Sequence, residues 1–492
     1  MPAHPKLIAQ FLGPVLFFLI LGFGHPTGLP LAGVAVLATT VWIALWWIFE
    51  VTSISVTALL PIILFPLTGA LSLSTTTAAY GHKYIFLYLG GFMLAIAIEK
   101  WNLHQRIALT IIDRLGVGIS RIILGFMAAT AFMSMWISNT ATAVMMLPIG
   151  LAIVKQLEDH PDTPVNEQHL FGKALMLAIA YSASIGGIAT LIGTPPNLVL
   201  AGVVEELYDT EITFAQWFAY GLPISITLLI LCWLYLTRIA FRFEMDAFPG
   251  GEAEIKRLLA ELGPITSEEK RVLFIFAATA MLWMFRSPLQ TWIPNLDDAI
   301  IAMLAGISLF MLPNPDGKPL LEWSEAVKLP WGIILLFGGG MALAIGFQSS
   351  GLANWIGTQA TLLEGLPLLL LLFVLIASVN FLTEITSNLA TTAMLLPILA
   401  PIALTLGLHP FILMVAAATA ASCAFMLPVA TPPNAVVFGS GYLQIPDMMK
   451  TGIWMNLFSI FLLTAMVYFV LSWLWGFDPQ VFPLEFMPEN RE

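Results

Sequence analysis

Charge is what this chain of 492 residues has least of. Asp, Glu, Lys and Arg make up 10% of it, against about 25% in ordinary soluble proteins. It has two cysteines, Cys232 and Cys423, both within apolar runs, so there is no disulfide framework or thiolate metal site to read. The seven histidines are scattered without ligand spacing, and a net charge of −11 is no nucleic-acid signature. The strand-by-strand alternation of an outer-membrane barrel is also missing. What remains is apolar: 59% of residues are hydrophobic. Apolar runs of about 18 residues, enough to cross a bilayer, recur along the chain. The composition therefore predicts an all-α polytopic membrane protein of about 11 transmembrane segments. The first run, 7–24, reads as a retained span, because no small-residue cleavage site follows it.

Two apolar segments, 122–154 and 366–404, are too long for one crossing and too short for two. Each carries a polar knot near its middle, and a re-entrant helical hairpin fits that length. Segment 99–116 has apolar residues at 103, 107, 108, 111, 112 and 115, with Lys100, Arg106, Asp113 and Arg114 largely elsewhere. It reads as a helix lying along the membrane surface. The polar stretch 241–270 reads as a cytoplasmic linker between two halves. With the N-terminus cytoplasmic and the C-terminus outside, 16 of the 19 basic residues fall on the cytoplasmic side; Lys83, Arg286 and Arg491 do not.

The knot occurs twice. "SMWISNTATAVMMLPI" (134–149) matches "TEITSNLATTAMLLPI" (383–398) at an offset of 249. Upstream, "GGFMLAIAI" (90–98) resembles "GGGMALAIGF" (338–347). Downstream, "IGTPPNLVLAG" (192–202) resembles "VATPPNAVVFG" (429–439) at an offset of 237, the difference being the polar insert 158–169. With the orientation above, the two copies are inverted. Inverted repeats with broken helices are a pattern of secondary transporters whose site lies near the bilayer midplane. An internal duplication alone would also suit a channel or an enzyme.

The residue types suggest a chemistry. Backbone polar groups cannot stand bare in lipid, so a broken helix must line a protein or water cavity. Ser134 and Ser138, like Thr383 and Ser387, are four apart on one helical face. With the adjoining asparagines and unwound carbonyls they form a set of neutral hard oxygens suited to Na⁺. In each Thr-Pro-Pro-Asn segment the prolines forbid helix before them. Helix is expected to stop at Gly193 and Ala430, then restart with its N-terminal dipole attractive to an anion. Segments 122–154 and 174–204 hold no charged residue, and 372–438 hold only Glu384 besides His409. With no Lys or Arg at hand, an anionic cargo needs helix N-termini and co-bound cations for charge balance. Glu384, matched by Met135 in the first copy, is expected in a hydrogen-bonded structural or pKa-shifted role. His409, before Pro410, is expected in a solvated loop.

At these motifs the sequence resembles the divalent anion:sodium symporter (DASS) family, whose members carry di- and tricarboxylates or sulfate. The resemblance covers nearly the whole chain. It implies a homodimer in which a mobile transport domain works as an elevator against a scaffold. It divides the chain into scaffold 1–121 with the arm helix 99–116, transport 122–240, linker 241–270, scaffold and second arm 271–363, transport 364–475, and a tail 476–492. Carried over by motif, one sodium site uses Ser134, Ser138, Asn139 and Gly193, and the second Thr383, Ser387, Asn388 and Ala430. The substrate meets Ser138, Asn139, Thr140, Thr194, Ser387, Asn388, Leu389 and Thr431. Leu389 departs from the family's Ser-Asn-Thr and removes a hydroxyl from one side of the site.

The resulting expectation is a sodium-coupled symporter in the inner or plasma membrane, binding at least two Na⁺ and importing C4-dicarboxylates such as succinate, malate or fumarate. Leu389 gives weight to sulfate or another small anion. Alternatives are a proton-coupled or exchanging transporter of the same architecture and, from another class, an anion channel. An enzyme is disfavoured: a nucleophilic serine needs a nearby base, and the repeats offer no His or Lys.

Overall fold

A computed structural model describes residues 3–24, 26–116, 118–158, 164–244 and 250–487. Their regular structure is helical. Nine helices among the described residues are long and apolar enough to cross a membrane, or ten if the pair Leu352–Leu363 and Leu368–Leu382, bent by 117°, counts as one. The reading of eleven segments divides the same chain differently. It takes Asn139–Leu157 and Asn388–Thr405 as re-entrant arms and includes shorter apolar helices such as Asp298–Met311.

Both knots interrupt helix where the polar residues stand. The first hairpin is Ile119–Ser134, a turn, then Asn139–Glu158; the second is Leu368–Leu382, a turn, then Asn388–Thr405. Ile119–Ser134 rises about 24 Å, short of the roughly 30 Å hydrocarbon core. Pro148 and Pro397 lie within their helices rather than ending them.

The Thr-Pro-Pro-Asn segments restart helix as expected, at Pro195 and Pro432. The preceding helices end earlier than expected, at Gly187 and Ala421 rather than Gly193 and Ala430. Proline restricts the residue before it, but here side chains hold a longer unwound loop open. Asn197 Nδ2 donates to the carbonyls of Gly187 (3.2 Å) and Thr190 (2.8 Å). Asn434 Nδ2 does the same for Ala424 (3.5 Å) and Leu427 (3.0 Å).

The copies interlock. The restarted helix Pro195–Tyr208 packs on the second hairpin's Asn388–Thr405, and Pro432–Phe438 packs on the first hairpin's Asn139–Glu158. The glycine motifs mark close helix crossings. A Cβ on Gly90 would collide with the Ala302 backbone, and one on Gly339 would come 2.6 Å from Ala58 O.

The surface segment is the helix Leu103–Leu115. It buries Leu103, His104, Ala108, Leu109 and Ile112, a face rotated slightly from the apolar one because it packs on Ile119–Ser134. Arg106 Nε donates to Glu269 (2.7 Å) and Nη1 to Gly263 O (3.0 Å). Part of the polar stretch 241–270 is a docked helix, Gly251–Glu261, packed on Leu103–Leu115 and Asn139–Glu158. Residues 159–163 of the polar insert lie outside the described residues.

His409 contradicts its expected place. It is buried, its Nδ1 accepts from Phe411 N (3.3 Å), and its ring stacks on Phe477 at 4.0 Å. It caps the helix Pro410–Ala421 while the segment around Phe477 and Phe486 covers it. A local reading of His-Pro shows the turn but not that later cover.

Candidate functional site

Both knots and both Thr-Pro-Pro-Asn segments converge on one cavity of about 700 Å³. Ser138, Asn139, Thr140, Gly193 and Thr194 line it from the first copy; Ser387, Asn388, Leu389, Ala430 and Thr431 line it from the second. Ser134 and Thr383 stand behind this wall, with no exposed surface. All the expected site residues are therefore at the cavity or directly behind it.

The oxygens behind each asparagine are arranged alike. In the first copy, Ser134 Oγ donates to Ala183 O at 2.6 Å. The Asn139 amide faces Ala183 O, Gly193 O and Ser134 Oγ at 3.0, 3.2 and 2.5 Å. All of these can accept. With Nδ2 turned inward the amide donates to them; with Oδ1 inward, four oxygens bound one small space, which is what a hard cation requires. In the second copy, Thr383 Oγ1 lies 2.6 Å from Asn388 Oδ1 and 3.0 Å from Ala421 O, with one proton to share between them. Glycine is needed in the first copy. A Cβ on Gly187 would come 2.6 Å from Asn139 Oδ1, and one on Gly193 would come 2.5 Å from Gly187 O.

Glu384 is buried and fully engaged. Oε1 accepts from Phe425 N (2.8 Å), Met426 N (3.0 Å) and Asn456 Nδ2 (2.7 Å), and Oε2 from Leu427 N (3.1 Å). Its carboxylate caps the donors exposed by the unwound loop before Ala430. The first copy uses a lighter device: Thr190 Oγ1 donates to Met135 O (2.5 Å) and accepts from Gly193 N (3.0 Å).

The family resemblance is borne out by comparison. Residues 5–476 match the family described as "Sodium:sulfate symporter transmembrane region". The chain belongs to this family. It is 47% identical over 489 residues to the sodium-dependent dicarboxylate transporter SdcS of Staphylococcus saprophyticus, covering 98% of this chain and 94% of that protein. It is 47% identical over 481 residues to SdcS of Staphylococcus aureus USA300, covering 96% and 92%. The fold is similar to Alcanivorax borkumensis YdaH, a transporter (TM-score 0.56, 15% identity, 96% and 98% covered), and to Neisseria gonorrhoeae MtrF (0.54, 12%, 82% and 84%). At such identities the likeness concerns the fold alone. As a symporter-family member the chain is a multi-pass membrane protein of a transport class rather than a catalyst.

Several residues of the site escaped sequence reasoning. The carbonyls of Ala183 and Ala421 belong to residues with no polar side chain, so nothing in their type marks them. Asn197 and Asn434 were visible within their motifs, but not as the braces of the unwound loops. Tyr88 and Leu336 line the cavity from other helices and Glu50 from the turn after Leu31–Ile48, and no motif points to them.

Proposed function

We propose that this chain is a sodium-coupled symporter importing C4-dicarboxylates such as succinate, malate or fumarate. The observation that carries the reading is the convergence of two asparagine knots on one cavity with no Lys or Arg among the described residues of its wall. An anion there must be balanced by other means. The restarted helices at Pro195 and Pro432 direct their N-terminal ends to the cavity. Two Na⁺ supply the rest, one held by Ser134, Ser138, Asn139 and Gly193, the other by Thr383, Ser387, Asn388 and Ala430. Each cation is part of the anion's site, so neither binds well without the other; that mutual dependence is the coupling. The substrate carboxylates meet Ser138, Asn139, Thr140 and Thr194 on one side and Ser387, Asn388 and Thr431 on the other, with Leu389 against the chain between. The SdcS relatives, sodium-dependent dicarboxylate transporters, support this cargo.

Transport by an elevator motion of 122–240 and 364–475 against 1–121 and 271–363, in a homodimer, follows from the same reading. A cytoplasmic N-terminus is supported by how charges group at the two ends. Lys83 and Arg286 share partners at one end, with Glu211 within 3.8 and 2.6 Å. Lys100 pairs with Glu325 (2.7 Å) at the other. Leu389 favours a second reading, a smaller anion such as sulfate. Uptake of labelled succinate, sulfate and citrate into proteoliposomes, with Na⁺ or choline outside, tests both. Saturable succinate uptake that disappears in choline is expected. Sulfate uptake without succinate uptake selects the second reading, and uptake indifferent to Na⁺ overturns both.

A further inference from the structure

The cavity wall runs toward Glu50, Ser55 and Pro330. Pro330 lies just after Glu325, the partner of Lys100. The helix Lys83–Lys100 therefore starts at the end opposite that side of the cavity, about 27 Å away by its length. There, Lys83 binds Glu205 (2.7 Å) and Asp297 (3.2 Å), and Arg286 binds Glu211 (2.6 Å) and Asp298 (3.2 Å). Glu205 stands in the last turn of the very helix whose first residue, Pro195, lines the cavity. So two cations on the 1–121 and 271–363 side hold two carboxylates of the 122–240 segment.

Asp298 ties this cluster to a second layer. Its Oδ2 accepts from Phe214 N (2.8 Å) and its carbonyl from Trp283 Nε1 (3.0 Å). Phe214 and Trp283 stack at 4.7 Å, and Trp136, in the turn of the first knot, lies parallel to Trp283 at 6.4 Å and edge-on to Phe276 at 5.0 Å. The position matching Trp136 in the second knot is Ile385, which is 54% exposed and faces the cavity. At this one position the first knot is packed against the rest of the protein and its two-fold-related counterpart is open. Alternating access in inverted repeats accounts for such a difference, equivalent positions being covered in turn.

We propose that the Lys83–Glu205 and Arg286–Glu211 pairs, with the Trp136 stack beneath them, form a latch closing the cavity on the side away from Glu50, and that it opens and re-forms in each transport cycle. The inference rests on the transporter reading above, and it is tested separately from the cargo. Cys232 and Cys423 are fully buried, so a cysteine placed at Ile212, also fully buried and outside the latch, reports opening. Ile212→Cys protein in proteoliposomes is treated with a charged, membrane-impermeant maleimide. Slow labelling is expected, becoming about tenfold faster or more when Glu211→Gln or Lys83→Gln is added, a shift of at least one decade in the open population. Glu211→Asp, which keeps a carboxylate for Arg286, is expected to leave labelling slow, whereas general loosening by any substitution at 211 would speed it. Any one variant that fails to fold leaves the other two. Equal labelling throughout overturns the latch even where succinate uptake is normal. Faster labelling of the latch variants, with Ile212→Cys protein alone taking up no succinate, upholds the latch and overturns the cargo.

Discussion

Asn139 and Asn388, 249 positions apart in the sequence, stand in the wall of the same cavity, each with a hydroxyl-bearing residue five positions earlier behind it. The two-fold relation between the repeats is therefore also a relation across one binding space. Asn139→Ala or Asn388→Ala removes the amide proposed to bind sodium and leaves Ser134 or Thr383 only the carbonyl of Ala183 or Ala421 as partner. Either change is expected to lower Na⁺-driven uptake by about 10- to 100-fold, the worth of one or two buried polar contacts. Size-exclusion profiles are expected to stay normal. Near-normal uptake in either variant would remove the site assignment.

Gly187→Ala places a methyl 2.6 Å from Asn139 Oδ1. The amide must turn away, so the Na⁺ concentration for half-maximal uptake is expected to rise by about tenfold or more. Ala424, the counterpart in the second copy, already carries a Cβ, so Ala424→Gly is expected to change sodium dependence little. The two sodium titrations, run side by side, check the asymmetry.

Leu389→Thr restores the hydroxyl that the second knot lacks. Dicarboxylate affinity is expected to improve by about threefold to tenfold, the value of one added hydrogen bond. An unchanged or weaker affinity for succinate would show that the leucine is part of the preferred fit.

Glu384→Ala strips acceptors from Phe425, Met426 and Leu427 N–H and from Asn456. Each unmet buried donor costs about 1–3 kcal/mol, so a marked loss of thermal stability in detergent is expected, together with loss of uptake. Glu384→Gln keeps one acceptor oxygen and is expected to fall between Ala and the parent. Equal melting temperatures for all three would refute the bracing role.

Burial holds the His409 imidazole down at about 4, from an ordinary 6.5. The unfolded chain therefore takes up a proton before the folded one does. The stability this neutral cap contributes is present above pH 6.5 and is lost as pH falls toward 4. Protonation also removes the acceptor for Phe411 N. His409→Asn keeps a capping group that does not titrate. Between pH 7.5 and 4.5 its melting temperature is expected to fall less than the parent's.

Much of the site could be read from the chain because its chemistry sits in short local motifs. Ser-Asn after an apolar run must break a helix, and Thr-Pro-Pro-Asn must restart one, whatever surrounds them. The lengths of the unwound loops were misjudged for the same reason. Proline acts on its neighbour, whereas Asn197 and Asn434 hold carbonyls seven to ten residues away. His409 was misplaced because its cover comes from around Phe477 and Phe486, which no local pattern links to it.

The sequence by itself determined that the chain is helical and membrane-embedded, that it is duplicated, and that its two broken centres carry neutral oxygens and no positive charge. Hydropathy, proline sterics and side-chain chemistry act over a few residues and need no fold to be effective. Only the tertiary structure decided that the restarted half of each copy packs on the hairpin of the other, that alanine carbonyls complete the oxygen clusters, and that Trp136 is stacked away while its counterpart Ile385 faces the cavity. Those outcomes depend on which surfaces meet across more than two hundred residues of chain, and packing of that kind is settled by the whole molecule at once.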